Sequence, residues 1–227
     1  MPSLPLDRMS SADRSLLAHS MPRIVTLADE QGFAFPGQGS GEVSGLGWEA
    51  RQAVCTALPD HLLMNYRRAP GTHHEASFSV VILRTGSGRL HLVPVERKGY
   101  SLYTPSRRNR LTMVVFNDLL REDAHAVRAD WLGLALCYAA LAGDQVQAVT
   151  TLMPSGGDPS PNYMPASLSV SWKAPPSITF VGLPPSGGSP LQWTLLFERS
   201  GRLHKVQMKK AYQLSAVPAK GQIVDLK

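Results

Sequence analysis

The sequence predicts an α+β fold in which antiparallel sheets, built from two hairpin-containing meanders, pack around a central apolar helix. Three observations lead to this prediction. Two regions are rich in alternating or β-branched residues, and each reverses at a glycine-containing turn. The region between them changes to helical spacing. Glycine and proline, at 19 and 18 of 227 residues, exceed their ordinary usage, which favours a turn-rich protein over a helical bundle.

Residues 1–47 are predicted to be an N-terminal segment that ends in a flexible glycine-rich loop over residues 36–47. A short helix over residues 13–18 is expected within this segment. Pro22 is expected to stop that helix, because proline breaks a helix interior.

Residues 48–227 are predicted to form a single α+β domain that begins with a helix over residues 48–58. Apolar side chains approximate one helical face there, and Pro59 ends the run because the residue before a proline is pushed out of the α region. Residues 85–88 close the hairpin of the first meander. The strands of this meander are expected at 61–68, 78–84 and 89–96.

Two helices are expected to separate the meanders. Apolar residues at helical spacing between Leu111 and Leu120 predict the first. Residues 131–142 predict the second, which is apolar on nearly every side and should therefore lie in the middle of the molecule. Gly143 is suited to a left-handed cap at its end. Strands of the second meander are expected at 150–153, 168–173, 178–182, 191–198 and 202–209, with a turn at 199–201.

The pentapeptide Ser-Gly-Arg-Leu-His occurs twice, at residues 87–91 and 200–204. Each copy follows an apolar strand and supplies a glycine where a tight reversal needs a positive φ. One interpretation makes His91 and His204 a pair of ligands or catalytic bases. The other, which the turn chemistry favours, makes them residues near a hairpin end. The repeat therefore predicts two similar turn-and-strand units more strongly than a doubled reactive site.

Lysine and arginine number 23 against 17 aspartate and glutamate, which gives a net charge of +6. A basic balance permits binding of nucleic acid or another polyanion, but such a site needs clustered charge. Zinc-finger spacing and an arginine-rich tail are both absent from the sequence, so a moderately basic surface is the favoured interpretation. The residues that would form a basic surface are Arg107, Arg108, Arg110, Lys205, Lys209 and Lys210.

The most metal-like stretch is His73-His74-Glu75, on a predicted loop. A catalytic metal site needs three ligands and an open position, and no HExxH or paired-cysteine motif supplies the rest. A solvated loop is therefore favoured, and neither a metal nor another cofactor is predicted. Asp118, Glu122 and Asp123 cluster at a predicted helix end, where solvated carboxylates are the simpler interpretation.

Cys55 and Cys137 are the only two cysteines, and each has apolar neighbours. Buried unreactive thiols and a disulfide between the two are about equally favoured. A third interpretation makes Cys55 a nucleophile with His91 as its base. It is less favoured, because the pKa of a reactive thiol is lowered best at a helix N-terminus, and Cys55 falls late in its predicted helix.

Three stretches resemble an uncharacterised family of exported bacterial proteins with no assigned activity. They are residues 51–61 (RQAVCTALPDH), 98–105 (KGYSLYTP) and 136–143 (LCYAALAG). The resemblance implies export, which would make a Cys55–Cys137 bridge more attractive. It transfers no catalytic residue.

The best prediction of function is a non-enzymatic, exported protein of binding or structural type, with unknown partners. The alternatives are a hydrolase that uses Cys55 with His91 and a weak polyanion-binding module. No apolar run reaches the ~20 residues of a membrane span. The first residues also lack the basic and then apolar pattern of a leader. The expectation is therefore a cytoplasmic protein, or a periplasmic or extracellular one whose leader is outside this sequence.

Overall fold

The computed structural model describes residues 3–4, 8–33, 35, 48–68, 76–85, 89–97, 105–143, 145–146, 169–171, 176–183 and 191–210. Its helices are α1 (Ser11–Glu30), α2 (Pro105–Glu122) and α3 (Trp131–Leu141). The strands of the first sheet are β1 (Ser3–Leu4), β2 (Trp48–Ala53), β3 (His61–Arg68), β4 (Ala76–Leu83) and β5 (Leu90–Arg97). Those of the second are β6 (Gln145–Val146), β7 (Ser169–Ser171), β8 (Ser177–Leu183), β9 (Leu191–Phe197) and β10 (Leu203–Lys210).

The predicted α+β class with two antiparallel meanders is confirmed. The first sheet runs in sequence order from β1 to β5, and every neighbouring pair is antiparallel. The second has the order β10, β9, β8, β6, and β7 also pairs with β8. The expected loop over 36–47 and the expected strand at 150–153 lie outside the described residues.

The first sheet is buried on both faces, which explains why its central strands are almost continuously apolar. Leu62, Met64 and Tyr66 of β3 belong to a core cluster shared with α1, whereas Leu63 belongs to a second cluster shared with α2 and α3. Successive side chains of a strand point to opposite faces, so α1 covers one face and α2 with α3 cover the other.

Helix α3 lies between the two sheets, as its apolar composition predicts. The cluster that holds its side chains also holds Trp193, Leu195 and Phe197 of β9, so the second sheet closes the far side. Asp130 caps the helix by accepting a hydrogen bond from the backbone N–H of Gly133 over 2.8 Å. The expected left-handed cap at Gly143 is confirmed by its φ of 76°. None of the helices in the described part of the chain is both long and apolar enough to cross a membrane.

Two predictions for the N-terminal half are wrong. Residues 48–53 form strand β2, not the start of a helix, because they pair along their whole length with β3. The apolar side chains there alternate between the two faces of the strand: Trp48 and Ala50 pack toward α1, and Ala53 packs toward α3. Helix α1 also runs far past residue 18 and contains Pro22 in its interior.

The two copies of the repeated pentapeptide are brought to the same helix. In the first copy, Arg89 and His91 both bond to Glu122 at the end of α2. In the second copy, the backbone of Leu203 exchanges two hydrogen bonds with the Asn117 side chain, at 2.9 and 3.0 Å. The register of β10 shifts at this point, so His204 occupies a bulge. Helix α2 is therefore fixed between both hairpins.

Candidate functional site

A cleft of about 360 Å³ opens between the second half of α2 and the β9–β10 turn. Among the described residues, three guanidinium groups line it, those of Arg121, Arg128 and Arg202, with one carboxylate, that of Asp118. The remaining lining residues are Val114, Asn117, Leu120 and Ser200. The cleft is thus positively charged and partly apolar.

Helical spacing places the cleft residues of α2 on one face. Val114, Asn117 and Arg121 follow one another at intervals of three and four, so their side chains form a stripe. Arg110 precedes Val114 by four residues and continues the stripe by one exposed turn. Val114 is 50% exposed although it is apolar, so part of the cleft wall is uncovered hydrocarbon.

The arginines are held loosely enough to accept another anion. Arg121 pairs with Asp118 at 2.7 Å and Arg202 with Glu198 at 3.7 Å, but their side chains are 75% and 65% exposed. Ion pairs this exposed contribute little stability and exchange readily. Arg128 is anchored more firmly, because its Nη2 donates to the carbonyl of Leu120 over 3.0 Å.

Gly201 allows the β9–β10 turn to close one end of the cleft. Its φ is 85°, and a Cβ atom at this position would lie 3.0 Å from the carbonyl oxygen of Arg128. Glycine alone reaches this backbone conformation without strain and leaves room for the close contact. The turn that carries Ser200 and Arg202 therefore packs directly on the backbone of Arg128.

A buried carboxylate on the other side of the α2 terminus supports the cleft. The side chain of Asp123 accepts hydrogen bonds from the backbone N–H groups of Asp60 and His125, at 3.0 and 2.9 Å. It also accepts from Nδ1 of His61 at 3.0 Å, and both side chains are at most 1% exposed. The interpretation of this helix end as solvated is therefore wrong for Asp123, which joins the chain after α2 to the start of β3.

Burial controls the ionisation of His61. Removal from water lowers the pKa of this imidazole, and the opposing effect of Asp123 only partly offsets that shift. The other ring nitrogen, Nε2, has no hydrogen-bond partner among the described residues. No serine, cysteine or other nucleophile in the described part of the chain bonds to it, so the Asp123–His61 pair is not part of an assembled catalytic triad.

Two further histidine–carboxylate pairs surround Asp123. Nδ1 of the exposed His125 lies 2.9 Å from Asp60, and Nε2 of His91 lies 3.1 Å from Glu122. Burial raises the pKa of the Glu122 carboxyl, but its hydrogen bonds to Arg89 and His91 outweigh that effect, and the net shift is downward. These carboxylates thus have their charge balanced locally.

The proposed pairing of Cys55 with His91 is not formed among the described residues. The hydrogen-bond partner of His91 is Glu122. The candidate Cys55–Cys137 disulfide is not formed in the structure either: the two side chains lie 3.0 Å apart, and both are free buried thiols. His204, the counterpart of His91, is 63% exposed and lies 3.8 Å from Glu198.

Of the predicted basic surface, the two residues with described side chains, Arg110 and Lys205, lie on different faces of the molecule. Val206 and Met208 of β10 pack on the core, so the exposed Lys205 between them and the turn points to the opposite side of the sheet, away from α2. Arg110 instead lies on the cleft stripe. The side chains of Arg107, Arg108, Lys209 and Lys210 lie outside the described set.

The metal candidates His73, His74 and Glu75 also lie outside the described residues. Within the residues that are described, no three histidine, cysteine, aspartate or glutamate side chains are arranged to hold a metal ion.

Comparison with known proteins gives no relative. No family model matches the chain, and no curated protein or solved structure is significantly similar to it. The resemblance to an exported bacterial family therefore stays a prediction.

Sequence reasoning missed the cleft arginines because they are dispersed along the chain. Arg121 and Arg128 stand singly, and Arg202 belongs to the repeated pentapeptide, which the turn chemistry explains without any role for its arginine. The repeat itself carried a usable signal. Its arginine lies near the end of α2 in both copies. Arg89 of the first copy bonds to Glu122, and Arg202 of the second copy lines the cleft beside Arg121.

Proposed function

We propose that this protein is a binding protein that holds an anionic group of a small organic ligand in the cleft beside α2. The observation that carries the proposal is the convergence of Arg121, Arg128 and Arg202 on one cleft. Planar guanidinium groups bind carboxylate and phosphate oxygens through paired hydrogen bonds, so these oxyanions are the expected ligand groups.

The remaining lining residues favour a ligand with an apolar part. The half-exposed Val114 and the neighbouring Leu120 offer hydrocarbon next to the charged rim. Ser200 on the β9–β10 turn adds a polar group, whereas the Asn117 side chain is bonded to the backbone of Leu203. Concave sites of this size, with an apolar wall and a few oriented polar groups, are typical of small-molecule binding.

A long polyanion is supported less well than a compact anion. Binding of a nucleic acid or heparin requires basic residues along a continuous track. Here Lys205 lies on the outer face of the second sheet, whereas Arg110 and Arg121 lie on the cleft side of α2. A hydrolase built on Cys55 and His91 gains no support, because each side chain contacts a different partner.

Titration calorimetry with citrate and with inorganic phosphate at low ionic strength tests the proposal. Both probes should bind the wild type, and Arg121→Gln or Arg202→Gln should each weaken binding about tenfold through the loss of a charge-assisted contact. Arg51→Gln is the matched control, because it removes another exposed, ion-paired arginine from β2, away from the cleft lining. Equal affinities for Arg51→Gln and Arg202→Gln, or no binding to the wild type, would overturn the proposal.

A further inference from the structure

The two cysteines meet in the core although they are distant in the sequence. Cys55 lies in the connection between β2 and β3, and Cys137 lies in the middle of α3. Both belong to the cluster that fills the space between the sheets, with 8% and 1% of their surface exposed. Their side chains are 3.0 Å apart.

The surroundings of the pair do not suit a nucleophile or a metal ligand, since both uses need a stable thiolate. Burial raises the pKa of the Cys137 thiol well above its usual range, and the neighbouring Cys55 adds to the shift. The two buried or partly buried histidines near the end of α2 have other partners: His61 bonds to Asp123, and His91 bonds to Glu122. Within the described residues, the group with which each thiol can react is therefore the other thiol.

We propose that Cys55 and Cys137 form an intramolecular disulfide that fastens the β2–β3 connection to α3. Bond formation removes two electrons and two protons from the thiols. In thiol–disulfide exchange, an incoming disulfide accepts them and leaves as two thiols. A disulfide oxidoreductase or an oxidised low-molecular-weight thiol is the co-reactant. Because both sulfurs are buried in the folded chain, the exchange takes place before the core closes.

The bond would fix a connection that the rest of the fold depends on. The β2–β3 connection also receives the backbone hydrogen bond from Val127 to Ala57, and Asp60 at its end bonds to Asp123. A disulfide here closes a loop that contains β3, β4, β5 and α2, so it would restrict the unfolded chain strongly. It also implies maturation in an oxidising compartment.

Intact mass after alkylation in denaturant tests the proposal on full-length protein folded in a glutathione redox buffer. The expected result is no alkylation before reduction and two alkylated thiols after reduction. Two free thiols before reduction, or a retained glutathione adduct, would overturn it.

The thermal consequence gives a second readout. Reduction should lower the melting temperature of the wild type by about 10 °C, as expected for a disulfide that closes a long loop. Reduction should leave the Cys55→Ala/Cys137→Ala double variant unchanged, because that variant keeps an apolar core without the bond. An equal response of the two proteins to reduction would contradict the proposal, whereas loss of citrate binding would bear only on the cleft.

Discussion

Nδ1 of His61 donates to Oδ2 of Asp123 over 3.0 Å, and the two side chains are almost completely buried. This contact joins the first residue of β3 to the residue that follows α2. It therefore sets the direction of the chain that continues to Arg128, which lines the cleft on the other side of the helix end. The stability of this junction and the binding properties of the cleft can be tested separately.

Protonation of His61 should destabilise the fold in mildly acidic solution. Burial lowers the pKa of this imidazole below its ordinary 6.5, so the unfolded chain binds a proton more readily than the folded one. The contribution is fully present above the unfolded-state pKa and is lost as the pH falls through 6.5 toward the lower pKa of the folded state. Urea unfolding at pH 7.5 and 5.5 should show a decrease in the free energy of unfolding.

His61→Asn is the control for this pH dependence. Its Nδ2 can replace the Nδ1 donor to Asp123, but the amide does not titrate. The variant should be less stable at pH 7.5 and should lose less free energy of unfolding between pH 7.5 and 5.5. If the variant lost as much free energy of unfolding between pH 7.5 and 5.5 as the wild type, another group would control the pH dependence.

Asp123→Asn should destabilise the protein far more than the same change at a neighbouring carboxylate. Asp123 accepts from three donors in a dry site, and an amide would face some of them with its own N–H groups. The expected loss is about 3 kcal/mol in the free energy of unfolding. Asp118→Asn, five residues earlier and within α2, breaks only an exposed ion pair and should change stability by less than about 0.5 kcal/mol. Chemical denaturation measures both, and similar losses would contradict the role of Asp123.

Gly201→Ala should cost about 2 kcal/mol of unfolding free energy. Alanine would be strained at the backbone φ of 85°, and its methyl group would lie 3.0 Å from the carbonyl oxygen of Arg128. Ser200→Ala, in the same turn but exposed, should be nearly neutral. Thermal and urea unfolding compare the two variants, and a neutral Gly201→Ala would mean that the turn is not packed against Arg128.

Asp118→Asn should also strengthen anion binding. Asp118 supplies the one carboxylate of the cleft lining and neutralises Arg121 at 2.7 Å. Its removal frees the guanidinium group and should lower the dissociation constant for citrate about threefold to tenfold, an effect that added salt should reduce. Asp29→Asn on α1 offers a change of the same charge elsewhere. An equal gain in affinity there would indicate a general effect of net charge.

The fold was more accessible from the sequence than the site. Strand-rich periodicity and the apolar composition of residues 131–142 predict both meanders and the central helix, because local pattern and burial agree there. Trp48 misleads because its spacing from later apolar residues fits a helix, and only the partner strand β3 decides for a strand. Pro22 misleads because a proline within α1 is tolerated when the helix packs against the sheet.

The site depends on contacts that no local pattern encodes. Asp123 is buried because donors from the start of β3 and from its own following turn converge on it, whereas its neighbours Glu122 and Asp118 in the sequence are typical of a solvated helix end. Arg121, Arg128 and Arg202 become one cleft only when the second hairpin docks on α2 through Asn117 and Gly201. The second copy of the repeated pentapeptide lies at this docking contact. Its arginine lines the cleft, whereas its histidine is exposed.

The most direct test of the central claim is the NMR spectrum of the arginine Nε–Hε groups during a citrate titration. The resonances of Arg121 and Arg202 should shift together and saturate, while that of Arg51 on β2 should stay in place. Equal, non-saturating shifts of all three arginines, or shifts confined to groups outside the cleft, would contradict it.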